Sequence, residues 1–190
     1  DITVTAKDSG DETTSATSFT ITVGDVNEAP TAVALGNNTI AENSAAGTVV
    51  GTLSATDEDD TSHSFLLVDG GDNDLFEIDG NQLKLAADVS LDHETTTSYD
   101  ITVTAKDSGD ETTSATSITI TVGDVNEAPT ASALTAVVWT PGAETTLDVS
   151  TAFADVDGDD LTYSVVVKDD GDSVVDASGW LTIDSSTGVI

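Results

Sequence analysis

Residues 1–30, reading DITVTAKDSGDETTSATSFTITVGDVNEAP, recur at 100–129 with one change, Phe19 against Ile118, so the chain repeats itself with a period of 99 residues. That period exceeds the roughly 20–50 residues of solenoid and propeller repeats and matches one independently folded domain per repeat. Three units follow. Residues 1–30 are the last two strands and linker of one unit, 31–129 are a complete unit, and 130–190 open a divergent third unit. The third carries Phe153-Ala154-Asp155-Val156-Asp157-Gly158-Asp159-Asp160-Leu161-Thr162-Tyr163 where the second has its own acidic run.

Within the complete unit, short runs of β-branched and aromatic residues stand at 48–53, 64–68, 75–78, 82–85, 99–104 and 116–122, with one more strand expected ahead of Glu42. Gly, Asp and Asn punctuate them, the pattern of strands joined by turns. Seven strands in about 100 residues predict an all-β fold of tandem immunoglobulin-like Greek-key sandwiches. Ile101 and Val103 alternate with Thr102 and Thr104, as in an antiparallel sheet with one dry and one wet face. An odd strand count leaves the chain ends at opposite poles, so units in series form a rod. The hairpin 1–24 then has the makings of an added strand pair for residues 130–190 of a second copy. The plainer alternative is that the sequence starts and stops within domains.

Thirty-six Asp and Glu stand against four Lys, with no Arg and no Cys, a formal charge of −32. Counterion release from phosphates needs clustered cations, so nucleic acid is excluded as a partner, and an anionic membrane surface would repel the chain. No apolar run approaches the ~18 residues of a membrane span, and neither an initiating Met nor a signal peptide is present, so the chain reads as a soluble piece of a longer protein without direct membrane insertion. Without Cys there is no disulfide framework, thiol nucleophile or cysteine zinc site. Abundant Val, Ile and Thr separate it from acidic disordered chains. H-E-x-x-H, G-x-S-x-G and glycine-rich phosphate loops are absent, and His63 and His93 stand without partners, so no enzyme is expected.

The acids cluster. Asp57-Glu58-Asp59 and Asp155-Val156-Asp157 are D-x-D pairs, while Asp25-Val26-Asn27-Glu28-Ala29-Pro30 and Asp124-Val125-Asn126-Glu127-Ala128-Pro129 occupy the unit boundaries. Glu42 follows the first strand, Leu91-Asp92-His93-Glu94 precedes the sixth, and Asp107 ends it. Strand alternation gathers Glu42, Asp92, Glu94, Asp124 and Glu127 at one pole and Asp57, Asp59 and Asp107 at the other. Carboxylates packed together repel one another and hold their protons unless a cation joins them. Four lysines cannot supply it. Ca2+, which takes six to eight oxygens in flexible geometry, fits better than Mg2+ with its strict octahedron or Zn2+ with its taste for imidazole and thiolate.

Together, Glu42, the A-x-D-x-D element at 55–59, the L-D-x-E element at 91–94, the A-x-D-x-G element at 105–109 and the D-x-N-E-A-P linkers resemble the calcium-binding cadherin repeat. The resemblance implies seven-stranded sandwiches with calcium ions between successive units. At the second junction it implies Glu42, Asp92, Glu94, Asp124, Asn126 and Glu127 with Asp155 and Asp157 as ligands. At the first it implies Asp25, Asn27 and Glu28 with Asp57, Asp59 and Asp107, the remaining ligands lying upstream of residue 1. The linker is one residue shorter than the vertebrate D-x-N-D-N-x-P and carries Glu where Asp is usual. The third unit lacks L-D-x-E and is similar to cadherin-like dystroglycan-type modules. The near-identical copies and arginine-free acidity resemble the extender regions of large bacterial adhesins. The implied function is a calcium-stiffened adhesive rod on a bacterial cell surface, secreted or anchored in the outer membrane. Its partners would be neighbouring repeats and a second copy, by strand addition or homophilic contact. The alternative is a carbohydrate-binding module using Trp139, Trp180 and Tyr163, although core roles suit those aromatics better.

Overall fold

The computed structural model describes residues 1–68, 70–135, 146–168, 174–175 and 181–190. Trp139 and Trp180 lie outside them. Among the described residues there are strands and two single 3-10 turns and no α-helix. Strands β1 (Ile2–Val4) and β2 (Thr17–Phe19) form an antiparallel hairpin with Ile2 opposite Phe19. Then come β3 (Ala32–Leu35), β4 (Thr39–Ala41), β5 (Val49–Thr56), β6 (Ser64–Leu67), β7 (Phe76–Asp79), β8 (Gln82–Leu85), β9 (Ser98–Lys106) and β10 (Thr116–Gly123). They make two four-stranded sheets, ordered β3-β5-β8-β7 and β4-β10-β9-β6.

The two sheets face each other across one core. Val33, Leu53, Phe76, Leu83 and Leu85 come from the first, and Ile40, Ile101, Val103, Ala105, Ile120 and Val122 from the second. The alternation read along β9 holds, with Ile101, Val103 and Ala105 buried and Thr102 and Thr104 partly open. The expected first strand is divided, however. Its start, β3, pairs antiparallel with β5, and its end, β4, crosses to the other sheet and pairs parallel with β10. Gly36, Asn37 and Asn38 make the crossing. The Asn37 amide donates to the carbonyls of Thr39 (2.8 Å) and Val50 (2.6 Å), and the Asn38 amide to that of Thr119 (2.9 Å), so carbonyls of both sheets stay paired where the ladder breaks. Gly51 allows the approach, because a Cβ there would stand 2.2 Å from the Asn37 carbonyl oxygen. The seventy-fifth residue, expected in a strand, instead closes a 3-10 turn at Asn73–Leu75 ahead of β7.

Beyond the linker, β11 (Thr130–Ala131) pairs with β12 (Phe153–Ala154), and β13 (Val167–Lys168) with β14 (Val174–Val175). The β11–β12 pairing repeats that of β3 with β5, down to the Thr130 hydroxyl on the Ala154 carbonyl (3.1 Å) matching Thr31 on Thr56 (3.1 Å). Tyr163 packs edge-on against Phe153 with ring centroids 5.8 Å apart, so it sits in the packing of this unit and not on an open platform.

The two copies of the repeated segment isolate tertiary from local effects. Hairpin β1–β2 has the register of β9–β10, the Lys7 to Thr13 bridge matches Lys106 to Thr112, and Asp11 and Asp110 share a positive φ of 70° and 74°. The strands are longer in the second copy, and burial differs, with Ile101 fully buried and Ile2 42% exposed. Truncating Ile101 to Ala should therefore cost about 2–5 kcal/mol, whereas Ile2→Ala should stay within about 0.5 kcal/mol. Urea unfolding of the two variants checks this, and equal losses would contradict it.

Candidate metal centres at the unit junctions

The first junction joins the linker 25–30 to the acidic loop after β5 and the turn after β9. Asp57 is half-buried there, with its side chain closed off from solvent. Its Oδ1 accepts the amides of Asp59 (2.8 Å) and Asp60 (3.0 Å), and its Oδ2 lies 3.3 Å from His63 Nε2. His63 thus has a partner after all, one that six residues of separation hid. The two main-chain hydrogen bonds, followed by the His63 contact, hold the Asp57 carboxyl below the usual Asp range. Asp59 Oδ2 accepts the Glu28 amide (2.9 Å), and Asp107 Oδ2 accepts from the Asn27 side chain (2.8 Å). The Asn27 amide lies flat on Gly109, where a Cβ would meet its Cγ at 2.7 Å. Asp60 accepts from the amide (3.0 Å) and hydroxyl (2.7 Å) of Ser108, tying the two loops together, a role that no motif in the sequence marks.

The second junction repeats this frame and adds to it. The Glu127 amide donates to Asp157 Oδ2 (2.8 Å), as Glu28 does to Asp59, and the Asp157 amide donates to Asp155 Oδ1 (3.1 Å), as Asp59 does to Asp57. Asn126 donates to the Glu127 carbonyl (2.9 Å), the counterpart of Asn27 on Glu28. The addition comes from the end of β4. Glu42 is buried, and its carboxylate accepts the Val125 amide of the linker on Oε1 (2.9 Å) and the His93 amide on Oε2 (2.8 Å). These bonds draw the L-D-x-E loop and the linker onto one carboxylate.

Around it, ligand atoms of Glu42, His93, Glu94 and Asp124 lie within 4.8 Å of one another, as do those of Glu94, Glu127 and Asp157. The His93 ring, read from sequence as passive, stands 3.4 Å from Glu94 and 3.9 Å from Asp124 through Nδ1. Asp92 belongs to neither group and turns its Oδ1 onto the Thr95 amide (2.8 Å). Among the described residues, the acids Asp25, Glu28, Asp57, Asp59 and Asp107 form no such group. One period back from Glu42, Asp92 and Glu94 falls before Asp1. Glu127 Oε2 and Asp157 Oδ1 are buried with no hydrogen-bond partner.

Crowding shows in the acid strengths. Burial, then the charges of Glu42, Asp157 and Glu94, push Glu127 above the usual Glu value, against the hydrogen bond from Asn43. Glu28 is pushed up by its hydrogen bond with Asp59 and by the charge of that residue. A raised carboxyl stabilises the fold below its unfolded value of 4.5 and loses that contribution as pH rises through the folded value. Asp57, lowered from 3.8, does the reverse and loses its contribution as pH falls. Without divalent cations the melting temperature should rise from neutral pH to about 5 and fall again below about 4. A melting temperature that drops steadily from neutral pH downward would show that the junction carboxylates are not crowded.

The cadherin domain family profile matches residues 37–123. Protocadherin gamma-A12 of Homo sapiens is 36% identical over 94 residues, 47% of this chain and 10% of the relative, and the protein of the same name from Pan troglodytes gives the same figures. The chain thus spans about a tenth of the length of these curated relatives. Among solved structures, the protocadherin GammaB4 extracellular domain superposes with a TM-score of 0.56 at 28% identity, covering 86% of this chain and 28% of that one. A protocadherin gammaB7 EC3-6 structure gives 0.63 at 22% identity over 98% of this chain and 48% of that one, a likeness of fold. Residues 37–123, a two-sheet sandwich with acidic clusters at both ends, thus match the cadherin domain in both sequence profile and fold.

Proposed function

We propose that this chain is a calcium-dependent structural and adhesive segment of an extracellular protein, in which divalent cations lock successive units end to end. The observation that carries this reading is the pair of buried, unpartnered oxygens on Glu127 and Asp157, set in a group of three carboxylates with atoms within 4.8 Å of one another. Buried carboxylate oxygens without partners are costly unless a cation completes them. A donor set made of carboxylates and Asn and main-chain carbonyls suits a hard ion, and Ca2+ before Mg2+. Glu42, Asp92, Glu94, Asp124, Asn126, Glu127, Asp155 and Asp157 would hold it at the second junction. Asp25, Asn27, Glu28, Asp57, Asp59 and Asp107 would contribute at the first. When bound, the ion supplies positive charge that turns repulsion between neighbouring units into attraction.

The domain boundaries proposed are 1–30, 31–129 and 130–190, matching the repeated linker contacts. The likeness to cadherin domains supports an extracellular setting, whose calcium-rich medium would fill the sites. No helix among the described residues is long and apolar enough to cross a membrane. The finer reading, an adhesin of a bacterial surface, rests on the near-identical copies and the composition free of Arg and Cys. Dystroglycan-type character for the third unit rests on its acidic run alone. Neighbouring repeats of the same chain are the first partners in this reading, and a second copy, by strand addition or homophilic contact, is a further one. Phe19, Ile21 and Val23 of the first hairpin stand exposed, while Ile120 and Val122, the counterparts of Ile21 and Val23, are fully buried.

Three measurements test this. With calcium at about 100 times its dissociation constant, each site should add about 2.7 kcal/mol of stability. Calorimetry should then show a higher melting temperature and small-angle scattering a longer, stiffer particle, both reversed by chelator. Unchanged melting and scattering overturn the calcium mechanism. Sedimentation of the 190-residue chain should show mass rising with concentration through the exposed hairpin, and a strict monomer throughout removes the second copy as partner.

A further inference from the structure

We infer that Asn43 is a positioning residue for the second junction: its side-chain amide clamps one oxygen of the Glu127 carboxylate and thereby aims the other into the space shared with Glu94 and Asp157. This deepens the proposed calcium reading and rests on it. The Asn43 amide donates to Glu127 Oε1 at 2.5 Å, across 84 residues of sequence. The opposite oxygen, Oε2, is the one left buried and unpartnered, and the Glu127 main-chain amide is already pinned to Asp157. Glu127 is thus held at its backbone and at one carboxylate oxygen, and its other oxygen is left without a hydrogen bond in a residue that has a ligand atom within 4.8 Å of those of Glu94 and Asp157.

The backbone of Asn43 is built for this reach. Its φ is +55°, in the left-handed region that Asn tolerates better than other residues with a Cβ, and its main-chain amide donates to Leu91 (3.2 Å). That conformation follows directly on Glu42, whose carboxylate grips Val125 and His93. Two consecutive residues at the end of β4 therefore hold the linker at two points, Glu42 by the main chain of Val125 and Asn43 by the side chain of Glu127. Without the clamp, the Glu127 side chain would be free to rotate, and the cost of ordering it would fall on cation binding. The first junction supplies an internal control. Its linker has the identical sequence, and Glu28 makes the identical main-chain bond to Asp59, but the position corresponding to Asn43 falls before Asp1.

The test is a calcium titration of the 190-residue chain followed by amide NMR at both linkers. Asn43→Gly keeps the left-handed backbone without strain and removes only the amide, and Asn43→Asp keeps the shape but sets a charge against Glu127. In Asn43→Gly the midpoint read at Glu127 and Asp157 should move about tenfold or more to higher calcium, and further in Asn43→Asp, with the midpoint at Glu28 and Asp59 unmoved. Titration of Asn43→Gly like the parent, or equal weakening at both linkers, overturns the assignment. In cation-free protein the Asn43 side-chain protons should exchange slowly, and Glu127→Ala should release them. Fast exchange in the parent overturns the clamp alone. Slow exchange with no calcium response at either linker overturns the calcium reading, and with it the part of Asn43 in loading.

Discussion

The structure turns on one buried carboxylate. Glu42 sits at the end of β4 with both oxygens taken, one by the amide of Val125 in the linker and one by the amide of His93 in the L-D-x-E loop. A buried charge is tolerated only when hydrogen bonded, and here the hydrogen bonds come from the two segments that carry the other acids of the junction. Glu94, Asp124 and Glu127 are brought near each other because the main chain beside them is anchored to Glu42. The same contacts bury Glu127 and crowd it with the charges of Glu42, Asp157 and Glu94, and together these raise it. Attraction to the backbone and repulsion among side chains are therefore set by one residue.

The linkers use a simpler device twice. In each, the amide of the glutamate donates to the second Asp of the next unit's D-x-D element, and the first Asp accepts the amide of the second. The first Asp thus uses its Oδ1 to shape its own loop, while the second faces the linker. This division of labour explains why Asp57 is deep, paired with His63 and held below the usual Asp range, whereas Asp157 keeps an oxygen free. At the first junction Asn27 and Asp107 add a side-chain contact that Gly109 makes room for.

Much of the fold was legible because its signals are local. The period of 99 residues, the alternation in β9 and the turn residues between strands follow from chemistry that neighbouring residues decide. The divided first strand was not legible, since β3 and β4 lie in different sheets through the amides of Asn37 and Asn38 reaching carbonyls far along the chain. The site was legible as a set of acids, because carboxylates without countercharges stand out in any sequence. Asn43, Asp60 and the side chains of both histidines were not. Their roles depend on partners that the strands bring close, and no spacing rule marks them.

The repeated segment separates the two kinds of information within one molecule. Sequence alone determined the hairpin, and both copies adopt the same register, the same bridge and the same left-handed Asp, since the turn and its hydrogen bonds are made within 24 residues. Tertiary structure alone decided that Ile101 is buried and Ile2 exposed, that Asp107 meets Asn27, and that Glu127 meets Asn43. Local hydrogen bonds need only the chain that forms them. Burial and the convergence of charges need a second surface, which exists only once the sheets have packed and the units have met.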